Sequence, residues 1–349
     1  MTSKERVLTV FAHQEPDRVP RWCGASPEFW GKAKRTLGLD DEGLRQRLGD
    51  DFRRVYSRYT GPEHTLLPGA TWQSPFGIQR RGIGFGQPMS HPLKNVKTPR
   101  EVLDYPWPDP EWMDVSHIRE EASIYSGNYA ILGGEWAPLW HDVIDLVGME
   151  QLYYLFFDQP EIVDLLFQNV TDFYYTVSEA IFESAADLID IFFIGNDFGS
   201  QNGPLLGRNL FTRFIVPHIE RLGSLGHRYG LKTMLHCCGG FRELIPDLIG
   251  AGMDAFHALQ PFARGMEPAS LKRDYGTTVV LNGAIDSQSV LIDGKSTSLV
   301  EGKTREILKI MMPGGGYIGG ASHDYILEET PVENVLAMCD AIDTYGRYK

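Results

Sequence analysis

The sequence has few cysteines, no excess of basic residues and no long apolar run. Its 349 residues include only four cysteines, Cys23, Cys237, Cys238 and Cys339. Four thiols in a chain this long do not form a disulfide framework. We therefore expect the cysteines to be core residues, metal ligands or nucleophiles. The formal net charge of −13 disfavours binding to nucleic acid or to an anionic membrane surface.

Nothing in the sequence predicts a membrane span or a secretory signal. No apolar run approaches the length that crosses a bilayer, and the opening MTSKERVLTVFAHQ is polar and lacks an apolar signal core. We therefore expect a cytoplasmic protein. Hydrophobic residues make up 42% of the chain, which is enough for a large buried core.

Short apolar runs alternate with amphipathic stretches after residue 115, which is typical of a parallel sheet covered by helices. Six strands are predicted, and two more are expected in the first 110 residues, one of them near 52–57; the six are 129–134, 188–195, 231–236, 253–259, 277–283 and 315–320. Eight such strands close a (β/α)₈ TIM barrel. We expect α/β architecture in one domain, 1–349, with an irregular N-terminal extension over 1–110 and most of the barrel in 111–349.

Polar side chains follow all six predicted strands. They are Glu135, Asn196 with Asp197, His236, Gln260, Asp286 and His323. The active site of such a barrel is built at the carboxyl ends of its strands, so we expect one shared cavity there. We assign catalysis to Asp197, His323 and Glu135, and substrate binding to Asn196, Gln260 and Asp286. The alternative is that these are simply places where the chain turns polar.

The segment His236-Cys237-Cys238 is the sharpest local motif. Strand alternation puts His236 and Cys238 on one side and Cys237 on the other, so an imidazole and a thiol could hold one zinc ion. His323, Glu135 and Asp197 are candidates for a third ligand. A core histidine beside two buried cysteines is the alternative.

Two further features bear on the site. Asp197 follows a strongly apolar strand, which predicts a raised pKa, although an Asx turn explains the residue equally well. Trp22 and Trp136 are expected to wall a flat, mostly apolar substrate, and Tyr317 in the glycine-rich segment 313–322 to contact it. Packing of the extension against the barrel is the plainer explanation for the tryptophans.

Three stretches resemble the uroporphyrinogen decarboxylase superfamily. They are RVLTVFAHQEPDRVP near the start, LKTMLHCCGGFRELIPDLIGAGMDAFHALQP, and GGGYIGGASHDYILEETPVENVLAMCDAIDTYG near the end. The resemblance covers most of the chain and implies a (β/α)₈ barrel with its mouth at the strand ends. It also implies that the active site lies around His236, Cys238 and His323.

The superfamily has two main arms, and this sequence is nearer to one of them. Uroporphyrinogen decarboxylase proper needs no cofactor and grips its substrate through arginines of an N-terminal signature. Residues 19–27 lack that arginine pair. The other arm contains zinc methyltransferases that work with corrinoid proteins and bind zinc through His-x-Cys and a later cysteine. His236 and Cys238 match the pair, and His323 stands in for the cysteine because none occurs between 239 and 338.

The resemblance therefore implies zinc bound by His236, Cys238 and His323 in a methyltransferase of corrinoid-linked methyl transfer. The reaction would be O-demethylation or depend on methylcobalamin, with a small aromatic, pterin or thiol substrate. The chain lacks Asp-x-His-x-x-Gly, so a corrinoid would arrive on a partner protein. A cofactor-free decarboxylase, a protein that only binds a corrinoid or assists assembly, and a homodimer stay open.

Overall fold

The computed structural model describes residues 1–82 and 86–349, and its centre is a parallel sheet of seven strands. Six of the seven strands form from the short apolar runs, and neighbours in the sheet follow chain order. The strands are β1 (Phe52–Arg54), β2 (Ala130–Gly133), β3 (Ile191–Gly195), β4 (Lys232–His236), β5 (Ala255–Leu259), β6 (Val280–Ile285) and β7 (Tyr317–Ala321). All six strands expected after residue 115 are confirmed, as is the strand near 52–57.

Residues 20–22 close the gap between β7 and β1. The backbone of Gly319 in β7 donates to Pro20 O at 2.8 Å and accepts from Trp22 N at 2.9 Å. On the other side, Asp51 N donates to Arg21 O at 3.1 Å, directly before β1. This short segment occupies the eighth strand position, so the sheet closes into a (β/α)₈ TIM-like barrel. The first 110 residues therefore contribute two of the eight strand positions.

Helices cover the outside of the barrel and precede and follow the closing segment 20–22. They are α1 (Ser3–Phe11), α2 (Pro27–Leu37), α3 (Asp41–Leu48), α4 (Pro99–Leu103), α5 (Ile118–Tyr125), α6 (Leu139–Val147), α7 (Met149–Asp158), α8 (Pro160–Ala185), α9 (Arg208–Phe214), α10 (Val216–Arg228), α11 (Ile245–Gly250), α12 (Pro268–Tyr275), α13 (Thr297–Met311) and α14 (Val332–Tyr345). A single turn of π-helix spans Ser287–Ile292. None of the helices in the described ranges combines the length and apolarity needed to cross a membrane.

A small antiparallel sheet in the N-terminal region packs against the barrel. Its strands are Trp72–Gln73, Gln79–Arg81 and Gln87–Pro88, and residues 83–85 lie outside the described part of the chain. Buried Arg80 fastens this sheet to α6 through ion pairs with Asp142 at 3.3 Å and Asp145 at 2.6 Å.

The barrel strands alternate their side chains between two buried layers. Phe52, Leu132, Phe193, Met234 and Ala255 belong to the inner layer, while Ile131, Phe192, Leu235 and Phe256 pack against the helices. Because successive side chains of a strand point to opposite faces, residues two positions further on also face inward. The parity places Arg54, His236 and His257 at the carboxyl end of the barrel interior.

Candidate active site at the carboxyl ends of the strands

His236 and Cys238 form a close pair at the end of β4. Cys238 Sγ lies 3.4 Å from His236 Nε2, and His236 is almost fully buried. Cys237 points the other way: its thiol is in the outer apolar core and accepts a hydrogen bond from Phe198 N at 3.4 Å. The predicted opposition of the two cysteines is therefore confirmed.

Asp197, which follows β3, completes this cluster. Its Oδ1 lies 3.2 Å from His236 Nε2 and accepts a hydrogen bond from Cys238 N at 2.8 Å. Its Oδ2 lies 3.3 Å from Nε2 of His141 in the first turn of α6. We call His141, Asp197, His236 and Cys238 the thiol cluster.

The raised pKa predicted for Asp197 is wrong. Burial alone would raise the pKa of this carboxyl, but hydrogen bonds from His141 and His236 outweigh burial and hold the pKa well below its ordinary value. The converse holds for His236: burial would lower its pKa, yet Cys238 and Asp197 together raise it well above normal. The prediction considered only the apolar strand and could not include two histidines from other elements.

Three members of the thiol cluster could hold a metal ion. Ligand atoms of Asp197, His236 and Cys238 all lie within 4.8 Å of one another. Around a tetrahedral zinc with ordinary bond lengths, two nitrogen or oxygen ligands are about 3.3 Å apart, and nitrogen and sulfur about 3.6 Å apart. The observed separations of 3.2 Å and 3.4 Å match these edges.

His323 lies beside the thiol but outside that group. A hydrogen bond with Cys238 raises the pKa of His323 against the effect of burial. Its Nδ1 accepts a hydrogen bond from Tyr325 N at 3.1 Å. Neither of the two close ligand groups found among residues 1–82 and 86–349 contains His323. Its role as a zinc ligand stays a prediction.

The second close group joins His236 to His257 and Asp324. His236 Nδ1 lies 3.0 Å from His257 Nδ1, and His257 Nε2 lies 3.8 Å from Asp324 Oδ1. Burial lowers the pKa of His257 well below normal, so this ring is neutral. The hydrogen bond between the two imidazoles fixes the orientation of His236, as a second-layer contact does for a metal-ligating histidine.

Glu135 lies at the end of β2, half-buried, and not in the thiol cluster. Ser57 Oγ donates a short hydrogen bond to its Oε1, and Ser178 Oγ accepts from its backbone N at 3.0 Å. Burial raises the pKa of Glu135, although the bond from Ser57 and the charge of Arg54 oppose this. Its catalytic role stays a prediction.

Two cavities open at this end of the barrel. One of about 510 Å³ is lined by Trp22, Arg54, Tyr56 and Asp324, and the other, of about 450 Å³, by Gln260, Asp286 and His323. Tyr325 lines both cavities. Of the residues expected to share one cavity, Gln260 and His323 line the second one together, and a cavity shared with Glu135, Asp197 and His236 stays a prediction.

The predicted substrate residues fall into two sets. Trp22, Gln260 and Asp286 line the cavities, and the half-buried Trp136 packs against His236 with ring centroids 5.3 Å apart. Asp286 also caps the π-helical turn by accepting from Ser289 N at 2.7 Å.

Asn196 and Tyr317 are placed differently, because both are fully buried. The Asn196 amide bonds Trp140 N at 2.9 Å and Ala137 O at 3.1 Å, and the Tyr317 hydroxyl donates to Gly283 O at 2.8 Å. Their polar groups hold backbone in place instead of facing a cavity.

Sequence reasoning missed His141, His257 and Arg54. His257 carried a usable signal, since it has the same strand parity as Ala255 and therefore faces the barrel interior. Arg54 has the same relation to Phe52. His141 carried none, because the neighbourhood of a residue in the first turn of α6 depends on how that helix docks.

Comparisons with known proteins found a matching sequence family and similar solved structures. The sequence model of the family described as uroporphyrinogen decarboxylase (URO-D) matches residues 90–345, well over half of the chain. A solved structure of a methyltransferase from Methanosarcina mazei is similar, with a TM-score of 0.68 and 17% identity over 99% of each chain. A D-psicose 3-epimerase crystallised in the presence of D-fructose has a TM-score of 0.37 and 10% identity over 72% of this chain and 93% of its own. No curated protein matches the sequence.

Proposed function

Because the chain belongs to the uroporphyrinogen decarboxylase family, we propose that it is a zinc-dependent methyltransferase of corrinoid-linked methyl transfer. The observation that carries the proposal is the spacing within the thiol cluster. His236 Nε2 lies 3.4 Å from a thiol and 3.2 Å from a carboxylate oxygen, close to the edges of about 3.6 Å and 3.3 Å that a tetrahedral zinc site has. A decarboxylase without a cofactor has no need of a thiol beside this histidine and carboxylate.

The residues of the thiol cluster and its neighbours would have distinct roles. His236 and Cys238 would hold the metal, with Asp197 as the carboxylate in reach and His141 orienting it. His257 keeps the His236 ring turned toward the site through the contact between their Nδ1 atoms. Zinc would act there as a Lewis acid on the group that gives or receives the methyl. Either Asp197 or His323 completes the ligand set.

The walls of the mouth support the proposed substrate class. Trp22 and Trp136 present aromatic faces beside His257 and His236, which suits a small aromatic or pterin substrate. A thiol acceptor fits the same metal. The corrinoid would be carried by a partner protein, since the chain has no corrinoid motif of its own. The fold is shared with a methyltransferase over nearly the whole chain, which favours methyl transfer.

A decarboxylase acting without a cofactor is the second candidate. Asp197 favours it, because a carboxylate with a pKa well below normal stays ionised and could stabilise a developing cation. His323, with its raised pKa, could donate the proton that replaces carbon dioxide. The lack of paired arginines in residues 19–27 weighs against a polyanionic porphyrinogen as its substrate.

The two candidates separate in one experiment. Purified protein is given free methylcobalamin with a small thiol, or free cob(I)alamin with 4-methoxybenzoate, and the corrinoid spectrum is followed with and without a zinc chelator. We expect a change that the chelator abolishes and added zinc restores. Release of carbon dioxide from a carboxylated substrate, unaffected by the chelator and without any corrinoid change, would establish the decarboxylase instead.

A further inference from the structure

Arg54 ends β1 with part of its guanidinium unpaired. The Nε and Nη2 atoms are buried and have no hydrogen-bond partner among the described residues. No carboxylate in the described ranges lies within ion-pair distance of it. Arg54 is half-buried, and leaving its buried N–H groups without an acceptor is costly, so such an arrangement is retained where a ligand supplies the missing acceptor.

Aromatic rings compensate for only part of this cost. The guanidinium carbon lies 4.5 Å from the ring centroid of Tyr56, 4.9 Å from that of Phe193 and 5.1 Å from that of Trp136. Rings attract the charge through the face of the guanidinium. The unpaired Nε and Nη2 hydrogens lie in its plane along one edge, the edge that holds a carboxylate by two parallel hydrogen bonds.

Two other unpaired donors lie around the same phenylalanine. Trp22 Nε1 and His257 Nε2 are buried without a hydrogen-bond partner. The rings of Trp22 and His257 lie 4.9 Å and 5.3 Å from Phe193 and 4.4 Å from each other. We call Trp22, Arg54 and His257 the donor cluster. Trp22 and Arg54 line the cavity of about 510 Å³.

We propose that Arg54 and Trp22 bind a carboxylate of the substrate, so that the molecule undergoing methyl transfer is a small monocarboxylate. This substrate class rests on the proposed function, but the binding itself does not. A monoanion fits better than a phosphate dianion, because Lys34, Arg45 and Arg53 in the same cavity are each paired with a carboxylate, and Asp324 adds a further negative charge there. Arg54 lies before residue 90, outside the matched part of the chain.

Access to this edge requires a small movement. Tyr56 covers the guanidinium and is 56% exposed, and Tyr325 beside it is 36% exposed. Rotation of exposed tyrosine side chains is fast on the scale of ligand binding. The rest of the donor cluster is held by packing inside the barrel, so the site keeps its shape when the cover opens.

The test is calorimetric binding to the full chain with three probes of one shape. They are 4-methoxybenzoate, its neutral amide 4-methoxybenzamide, and 4-methoxyphenyl phosphate. We expect the acid to bind about 10- to 100-fold more tightly than the amide, as a charge-assisted pair predicts. Arg54→Gln should bring that ratio near one, and Arg54→Lys should keep part of it, because lysine keeps the charge without the planar edge.

The control is Arg228→Gln, which removes a tyrosine-stacked arginine from the end of α10, at the other end of the barrel, and should keep the wild-type ratio. Equal binding of acid and amide by the wild type, no measurable binding of the acid, or an unchanged ratio in Arg54→Gln would overturn the proposal. Tighter binding of the phosphate would overturn the carboxylate assignment. The wild-type comparison needs no variant to fold.

The same titrations in Cys238→Ala separate this proposal from the zinc chemistry. We expect the ratio of acid to amide to survive there, because the donor cluster does not include the thiol. A ratio kept in the wild-type protein, together with no methyl transfer by that wild-type protein, would contradict the proposed function alone. A ratio lost in Cys238→Ala would contradict the separate carboxylate site.

Discussion

The two sides of the barrel mouth differ in how their polar atoms are paired. In the thiol cluster every member contacts another, and carboxylate, imidazole and thiol lie within 3.4 Å of their neighbours. In the donor cluster, Arg54, Trp22 and His257 have buried nitrogen atoms without an acceptor at hydrogen-bond distance, and the carboxylate of Asp324 lies 3.8 Å from His257 Nε2. Converging electron-pair donors suit a cation, and converging N–H donors suit an anion. We therefore propose that the metal binds on one side and the charged end of the substrate on the other.

Cys238→Ala should have the largest effect, because it removes the only sulfur of the thiol cluster. Loss of a direct ligand should weaken zinc binding by more than about 100-fold, the upper range for residues that only support a ligand. Competition with a chromophoric chelator measures this affinity. Cys237→Ala is the matched control: it should retain zinc and lose roughly 1 kcal/mol of stability, because that thiol is in the outer core. Equal zinc binding by the two variants would contradict the site.

Asp197→Asn and His323→Asn decide which residue completes the ligand set. Asp197 shares the close group with His236 and Cys238, so its loss should weaken zinc binding by roughly 100-fold, and loss of His323 by about tenfold or less. The same competition assay compares both variants. A larger loss for His323→Asn would favour the histidine ligand that the sequence resemblance implies.

His141→Ala tests the support behind Asp197. The imidazole lies 3.3 Å from Asp197 Oδ2 and has no close contact with Cys238 among the described atoms, so its removal should loosen the carboxylate without removing a ligand. We expect an intermediate loss of zinc affinity, about tenfold. Trp136→Phe, which changes the aromatic wall beside His236, should leave zinc affinity unchanged and serves as the control.

The smallest effect concerns the stability of metal-free protein. The pKa of Asp197 is lowered on folding, so its contribution is present above its unfolded pKa of about 3.9 and is lost as pH falls through the folded value. The pKa of His236 is raised, so its contribution is present below about 6.5 and is lost as pH rises through the folded value.

The stability difference between wild type and Asp197→Asn should therefore be largest between about pH 4 and 6.5 and shrink on either side. Urea unfolding at a series of pH values measures it. A difference that stays constant from pH 5 to pH 9 would mean that the Asp197–His236 pair contributes nothing through its charge.

The sequence predicted the periodic part of the fold and the local part of the site. Apolar runs ending in polar residues gave six strands, and strand parity separated Cys237 from Cys238. The segment that closes the barrel was not predictable. Residues 20–22 contain no strand pattern and join the barrel through three backbone hydrogen bonds. Such pairing depends on neighbours that are distant in the chain.

The electrostatics of the site were the least predictable part. Asp197 was expected to be protonated more readily because its strand is apolar, but His141 and His236 reverse that effect. Asn196 and Tyr317 stand at strand ends like the other candidates, yet backbone groups occupy their polar atoms. The position of a residue at a strand end predicts that it lies near the mouth of the barrel. Whether its side chain points into the cavity depends on how the neighbouring elements pack.

Zinc K-edge absorption on protein loaded with one equivalent of zinc tests the central claim most directly. We predict one sulfur at about 2.3 Å and nitrogen or oxygen ligands at about 2.0–2.1 Å. The sulfur should disappear in Cys238→Ala and stay in Cys237→Ala. Failure to bind zinc, or a bound zinc without sulfur in the wild-type protein, would contradict the assignment of the thiol cluster as the metal centre.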